Sequence, residues 1–424
     1  MGSTHAELPL AREPRVSIVI LAWRNAARLR RCLASIQAHP GAAPIETVVV
    51  ANGASAEVTS ALSETGGIRT IHSEVNLGFA GGCNLGARHA RGDLLVLLND
   101  DVEVQPGWLD ALVATADAHP GAGAIGSRML FTDGTLHEAG QIVWRDGSTT
   151  AVGRGLPGNT RRWRYLRQVD YCSAACLLVR RSAWLAVGGM DPDFHPGYCE
   201  DVDLCFAIQE TGARILYEPR SVICHHEGSS FDSLWRDFLM ERNRSRLVAK
   251  WGDRLASHEP GPGRPGAFER AIHLARGFPR RVLAVVDRLP ALGALERTWL
   301  GRLVADVDLV RNAVVVATSV PSDQEQAEPL EALGVEVVED PPGRHVARPE
   351  TIYDAVLLDP VCAALEEIVR SQQPHAAVLL AEPDPLAGVT GSWQDAIAAA
   401  LLGRRPAPEP GPSGGAGGGR SQRI

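Results

Sequence analysis

Two acidic clusters carry residue types that could do chemistry. The first is the triplet Asn99, Asp100 and Asp101, which closes the apolar run Leu94–Leu98. Adjacent carboxylates at the end of a buried strand are unfavourable unless solvated or neutralised. A hard divalent cation bridging to a diphosphate would neutralise them, since Mg²⁺ or Mn²⁺ is held by one or two carboxylates plus phosphate oxygens. The same triplet also suits a turn or a helix cap. The second cluster is EDVDLC, residues 200–205. Apolar residues at Val202, Leu204, Cys205 and Ile208 predict an amphipathic helix that ends at Gly212, with Glu200 and Asp201 in its first turn. The helix dipole favours a carboxylate there. That keeps Asp201 ionised, as a proton acceptor must be, and equally suits a cap.

The elements that must position these acids read as a βαβ series. The run 16–23 (VSIVILAW) is a buried parallel strand, 26–37 a helix, and 46–53 a second buried strand. A short strand over 68–74, a glycine-opened helix over 80–92 and a strand over 93–100 follow. This rhythm predicts a parallel sheet with right-handed crossovers. Ligands of such sheets bind beyond the carboxyl ends of the strands, which is where Asp100 and Asp101 fall. Further on come a strand to Val179, a short helix from Ser182, a strand over 214–219 and a loop over 221–230. The segment 258–266 (HEPGPGRPG) breaks the pattern, and the βα rhythm then restarts with strands at 282–286, 313–318, 335–338, 353–358 and 376–380.

Composition narrows the function classes. The chain has 424 residues, 45% of them apolar, and a net charge of −8. That argues against a nucleic-acid binder, which would show a basic footprint. Lys250 is the only lysine, so any lysine chemistry has one candidate. The 8 cysteines lack a second pair at zinc-site spacing and read as free buried thiols of a reducing cytosol. The N-terminus lacks the apolar core of a signal peptide, and no uncharged run reaches the ~18 residues of a membrane span. A soluble, cytoplasmic protein is expected, with peripheral contact at the inner face of the membrane left open. The basic loop 153–168 reads either as a grip on an anionic ligand or as a solvated loop.

Two stretches, 76–112 and 169–230, resemble the family 2 glycosyltransferases of the GT-A fold in motif order and spacing. The likeness spans roughly residues 15 to 252, nearest to the branch that moves rhamnose and similar sugars onto bacterial surface polysaccharides. It implies a Rossmann-like mixed sheet flanked by helices, over residues 15–255. It also implies a divalent cation, Mg²⁺ or Mn²⁺, a nucleoside-diphosphate sugar donor, a saccharide or lipid-linked acceptor, and inversion in a single displacement. Under it Asp101 ligates the cation and Asp100 contacts the donor. Asp201 is the base and Glu200 positions the acceptor. His225 completes the metal shell, with His226 its rival. Asn52, Asn76 and Asn84 line the donor site, the alternative being that the glycines beside them serve tight packing, and Asp191 touches the acceptor. One departure stands out: the second strand carries Ala51, then Asn52, where the family has a base-contacting aspartate. With it comes the rival expectation of a scaffold that has lost catalysis.

The remaining expectations concern the chain's organisation: a flexible N-terminus over 1–14, a linker over 256–280, and a disordered Pro/Gly-rich tail over 403–424. Residues 281–402 read as a smaller Rossmann-like domain resembling the N-terminal half of a GT-B glycosyltransferase, without catalysis of its own.

Overall fold

The computed structural model describes residues 7–226, 233–264, 266–275, 280–291, 293–306, 312–318, 324–338, 345, 353–373 and 376–381. The expected tail over 403–424 lies outside the described residues, as do residues 1–6 of the expected flexible N-terminus. Residues 7–14 are anchored instead. Leu8 is buried and donates its N–H to the Gly66 carbonyl, and Ala11 donates to Ile45, because an apolar side chain and an open strand edge are both available there.

In chain order the first unit runs β1 (Val16–Ala22), α1 (Ala26–Ala38), β2 (Ile45–Asn52), α2 (Ala56–Ser63), β3 (Ile68–Ser73), α3 (Gly78–His89), β4 (Leu94–Asn99), β5 (Val102–Val104), α4 (Trp108–Ala118) and β6 (Ala122–Leu130). It continues with β7 (Leu136–Glu138), β8 (Gln141–Val143), β9 (Thr149–Ala151), β10 (Arg167–Gln168), β11 (Cys176–Arg180), α5 (Arg181–Val187), α6 (Glu200–Glu210), β12 (Arg214–His225), α7 (Ser233–Leu255) and α8 (Ala267–Ala275). The main sheet has the order β10-β12-β6-β11-β4-β1-β2-β3, with β5 on the edge of β12 and β7 on β6. Strands β3, β2, β1 and β4 are parallel, and β11 enters antiparallel, so the sheet is mixed.

Burial explains the layers. Every residue of β2 is buried, which requires cover on both faces. Successive residues of β1 and β4 alternate between two apolar clusters. Val19, Leu95 and Leu97 face α3 and α6, whereas Ile18, Ile20, Val96 and Leu98 face α1 and α4. The chain leaves β1 for β2 on one side and returns to place β4 on the other. The strand order therefore reverses between β1 and β4, and a crevice opens at their carboxyl ends.

Residues 256–280, expected to be a linker, contain α8. Its Ala267, Ala271 and Ile272 are buried in the same cluster as Val202, Leu204 and Phe206 of α6, so α8 belongs to the first unit's core. Beyond it, β13 (Arg280–Val286), α9 (Trp299–Asp306), β14 (Asn312–Thr318), α10 (Gln324–Ala332), β15 (Glu336–Val338), β16 (Ala355–Leu358) and β17 (Ala377–Leu380) build a second sheet. It is wholly parallel, ordered β15-β14-β13-β16-β17, as the restarted βα rhythm predicts.

Candidate active site

Register brings the first acidic pair to its partners. Asp100 and Asp101 occupy the turn between β4 and β5. β5 then pairs with the far end of β12, His225 opposite Val102, which sets His225 beside Asp101 across 124 residues of sequence. His225 Nε2–H donates to Asp101 Oδ1 at 3.1 Å, and the Arg28 guanidinium stands 3.6 Å from Oδ2. His226, the rival ligand, points away, with its Nε2 2.6 Å from Glu103 Oε1. Burial pulls Asp101 upward, but the His225 hydrogen bond and charge, with Arg28, outweigh it and hold the carboxyl below its ordinary range. Asp100 goes the other way: burial and the neighbouring Asp101 charge push it up to about 7.

A divalent cation fits this donor set. Two ligands of an octahedral ion with bonds of ~2.1 Å stand about 3 Å apart, the spacing of Asp101 and His225. The buried Nδ1 of His225 and Oδ1 of Asn99 have no partner here. Among the described residues no three His, Cys, Asp or Glu side chains form a cage, so phosphate oxygens and water would complete the shell.

The second acidic pair arrives on α6. Asp201 Oδ1 accepts from the Val202 N–H at 2.9 Å, and the carboxylate also accepts from the Ala174 N–H. Burial raises Asp201 to about 6. Glu200 is buried with its Oε2 unpartnered, and burial followed by the Asp201 charge drives its carboxyl well upward. Tyr198 and Cys199, immediately upstream, both adopt positive φ, at 77° and 70°. Left-handed backbone costs a non-glycine residue about 1–2 kcal/mol. Strain of this kind needs surrounding structure to hold it.

One backbone strip joins the two pairs. Ser173, Ala174 and Ala175 lead into β11. The Ser173 N–H donates to Glu138 Oε1 at 3.1 Å, the Ala174 N–H to Asp201, and the Ala175 carbonyl accepts from the Asn99 N–H at 3.0 Å. Glu138 was not foreseen from the sequence. It is fully buried on β7, braced also by Gln141 Nε2 at 2.6 Å. Burial first, and the Asp201 charge among its neighbours, push it up to about 7. A charged residue inside a three-residue strand leaves no periodic trace that would have flagged it.

The remaining expected residues have structural partners. Asn52 is buried; its Nδ2 donates to Asn76 Oδ1 and the Gly78 carbonyl, both at 3.1 Å, and its Oδ1 accepts from the Leu77 N–H. Asn76 Oδ1 also accepts from the Gly78 N–H, so this pair shapes the turn that opens α3. Gly78 sits at φ 71°, and a Cβ there would meet His195 Nδ1 at 2.6 Å. The tight-packing alternative applies to Gly86, whose Cβ would meet Val19 at 2.3 Å. Asn84 clamps Met190 at both ends of its amide, accepting from the N–H at 2.9 Å and donating to the carbonyl at 2.7 Å. Asp191 caps the turn 192–194 and pairs with Lys250 Nζ at 2.7 Å. Lys250 also pairs with Asp203 of α6 at 2.7 Å, so the single lysine is a brace between α6 and α7.

The basic loop divides. Arg154 lies over Phe131 and reaches His137 Nε2 at 3.4 Å, while the His137 ring stands 5.1 Å from that of His225. Arg167 is buried among Trp163, Tyr165 and Tyr217, and Arg162 pairs with Glu269 of α8 and reaches Glu336 of β15 at 3.8 Å. Arg162 and Arg167 therefore hold the core and the junction between the two units, and Arg154 alone of these three approaches the site.

The first unit is thus a mixed α/β domain with carboxylates gathered at the switch point of its sheet. Residues 17–185 match the family profile described as Glycosyl transferase family 2. An O-antigen biosynthesis protein of Myxococcus xanthus is 30% identical over 235 residues, 52% of this chain and 18% of that protein. An N-acetylglucosaminyl-diphospho-decaprenol L-rhamnosyltransferase of Mycobacterium tuberculosis is 28% identical over 236 residues, 50% of this chain and 76% of that enzyme. The chain thus spans under a fifth of the Myxococcus protein's length. Among solved structures, a crystal structure of GalNAc-T7 with UDP, GalNAc and Mn²⁺ aligns with a TM-score of 0.47 at 17% identity, over 60% of this chain and 51% of that one.

Proposed function

We propose that the chain is an inverting glycosyltransferase that moves a sugar from a nucleoside-diphosphate donor to a hydroxyl of a saccharide or lipid-linked acceptor in cell-surface polysaccharide synthesis. The observation that carries the reading is the strip Ser173–Ala175, which ties Glu138, Asp201 and the Asn99–Asp101 turn into one site. The match to the family profile and the names of the relatives above support the same reading.

In this reading the donor diphosphate lies against Asp100 and Asp101, with Arg28 contributing positive charge. A divalent cation held by Asp101 and His225 would neutralise charge developing on the leaving diphosphate. Asp201 takes the proton of the acceptor hydroxyl as its oxygen bonds to the anomeric carbon and the carbon–phosphate-oxygen bond breaks. One displacement inverts that carbon. Asn52, Asn76 and Asn84 act by shaping the turn at α3 and pinning Met190; Asp191 acts with Lys250 in holding the acceptor side. Ala51 leaves base recognition to other groups. The second α/β unit, docked through Glu336 and through the Leu166 N–H to the Glu331 carbonyl, serves as a non-catalytic guide.

Lipid-linked acceptors would bring the chain to the membrane. No described helix is long and apolar enough to cross a membrane. The start of α7 exposes Leu234 (82%), Trp235 and Phe238, with Trp235 and Phe238 stacked 5.2 Å apart and Arg236 beside them. Such a face suits the headgroup boundary at the cytoplasmic leaflet.

The test is nucleotide release and sugar transfer across a panel of nucleotide sugars with Mn²⁺ or Mg²⁺, comparing wild type with Asp201→Asn. Metal-dependent release lost in the variant supports the reading. Absence of both turnover and nucleotide binding would leave the scaffold reading that Ala51 suggests.

A further inference from the structure

The segment 194–199 delivers the base through two consecutive left-handed residues, and something must hold it there. Asn243, in the middle of α7, is completely buried. Its Nδ2 lies 2.9 Å from the Phe194 carbonyl oxygen, 2.8 Å from that of Gly197 and 3.0 Å from that of Tyr198. Two hydrogens are thus shared among three carbonyls of one loop. Neighbours on the same helix extend the grip. Arg242 donates to the His195 carbonyl, and Arg246 to that of Asp193. Lys250 reaches Asp191 and Asp203, and Trp251 Nε1 donates to Asp203 Oδ1 at 2.8 Å. Among these groups Asn243 alone is wholly buried and uncharged, and it bonds to the residue next to Cys199. Buried carbonyls left unpaired would pull the loop toward a conformation that water can satisfy.

We propose that Asn243 is a positioning residue: its amide holds the Phe194–Tyr198 loop in the left-handed geometry that aims Asp201 at the acceptor. The inference rests on the reading of Asp201 as the base. Asn243 touches neither donor nor acceptor. It acts on turnover, through the placement of the proton acceptor, and not on donor affinity. The polar residue is conspicuous in place: the inner face of α7 otherwise presents Leu239, Leu247 and Leu255 to the core.

The experiment compares the full chain with Asn243→Ala and Asn243→Asp. The aspartate has the same shape, but its carboxylate faces three carbonyls and cannot donate. For both variants kcat should fall about 100-fold, the loss expected for a misplaced catalytic group. Donor KM should stay within about threefold, since no donor contact changes. Amide hydrogen exchange at residues 194–203 should rise in the same variants, while that of β1 and β4 does not. If Asn243→Ala fails to fold, Lys250→Gln loosens the same clamp from its other end, and the same split of kcat from KM is expected. Wild-type kcat together with unchanged exchange at 194–203 would overturn the inference. A parallel rise in donor KM would also overturn it, because that would mark Asn243 as general scaffolding. Should the wild type turn over no donor at all, the glycosyl-transfer reading falls, and the exchange measurement still decides whether Asn243 holds the loop.

Discussion

Replacing Asp201 by asparagine should remove activity and increase stability. Ionised Asp201 is surrounded by Glu200 and Cys199 at the start of α6, Cys205 one turn on, Glu138 of β7 and Tyr171, none of them a cation. Burial lifts its carboxyl from 3.8 to about 6. Because the folded value lies above the unfolded one, ionisation works against folding. Below both values the carboxyl is protonated in either state and no penalty applies. The penalty grows between the two and is complete above the folded value. A shift of roughly two units corresponds to at most ~3 kcal/mol. Partial exposure and coupling to Glu200 reduce this, and a gain of about 1 kcal/mol for Asp201→Asn is expected, or ~2–4 °C in Tm for a unit of this size. Asparagine Oδ1 still accepts from the Val202 N–H, so that local hydrogen bond survives. Thermal melts of ligand-free protein at pH 8 and pH 5 check the sign: the variant melts higher at pH 8, and the gap narrows at pH 5. Turnover in the same variant should drop ~10²–10⁴-fold, the contribution of a positioned general base. Wild-type turnover should fall tenfold per pH unit below about 6. A variant that melts lower than wild type by the same margin at both pH values would refute the reasoning. It would mean that the carboxylate is a stabilising cap and not a group held against its preference.

Other consequences can be checked separately. Asp101→Asn should remove Mn²⁺-stimulated turnover, about 10²-fold or more, and His225→Ala should weaken the apparent Mn²⁺ affinity ~10–100-fold; His226→Ala, directed at Glu103, should leave that affinity within about threefold. Asn84→Ala breaks both bonds to Met190 and leaves two backbone groups to water, so a loss of about 1–3 kcal/mol in denaturant unfolding is expected with donor affinity unchanged by calorimetry. A large loss of donor affinity would restore Asn84 to the donor site. Trp235→Ser with Phe238→Ser should reduce sedimentation with vesicles containing anionic lipid severalfold while soluble-acceptor turnover is unchanged.

What could be read from the sequence follows from which residues report on their surroundings locally. β1, β2 and β4 are buried on both faces, so their apolar runs stand out, and their ends locate Asp100 and Asp101 without a structure. α6 declares itself by periodicity. No strand was legible between 131 and 168 because the strands there hold two or three residues, too few for alternation to show. That is where Glu138 and His137 lie. Arg162 was illegible for a related reason: a charge run looks the same whether it faces water or neutralises Glu269 and Glu336. α8 was hidden by the Pro/Gly-rich segment before it; among its described residues Ala267, Ala271 and Ile272 are buried, with Phe268 packed against the same cluster.

The same reasoning explains why α7 shapes the site without advertising it. Asn243 sits among ERNRSR, a run that reads as a solvated helix face, and three carbonyls 45 to 49 residues upstream give it its meaning. Lys250 belongs to the same logic. As the only lysine it invited a chemical role, yet with Asp191 and Asp203 both 2.7 Å away it is a strut. Burial opposes the charge on Lys250, but the two carboxylates outweigh it and raise the ammonium above its ordinary value. A nucleophilic lysine would need the opposite shift. On the proposed reading the chemistry falls to the carboxylates at the strand ends and the head of α6, and α7 contributes the stiffness that keeps a strained loop, and the base behind it, in place.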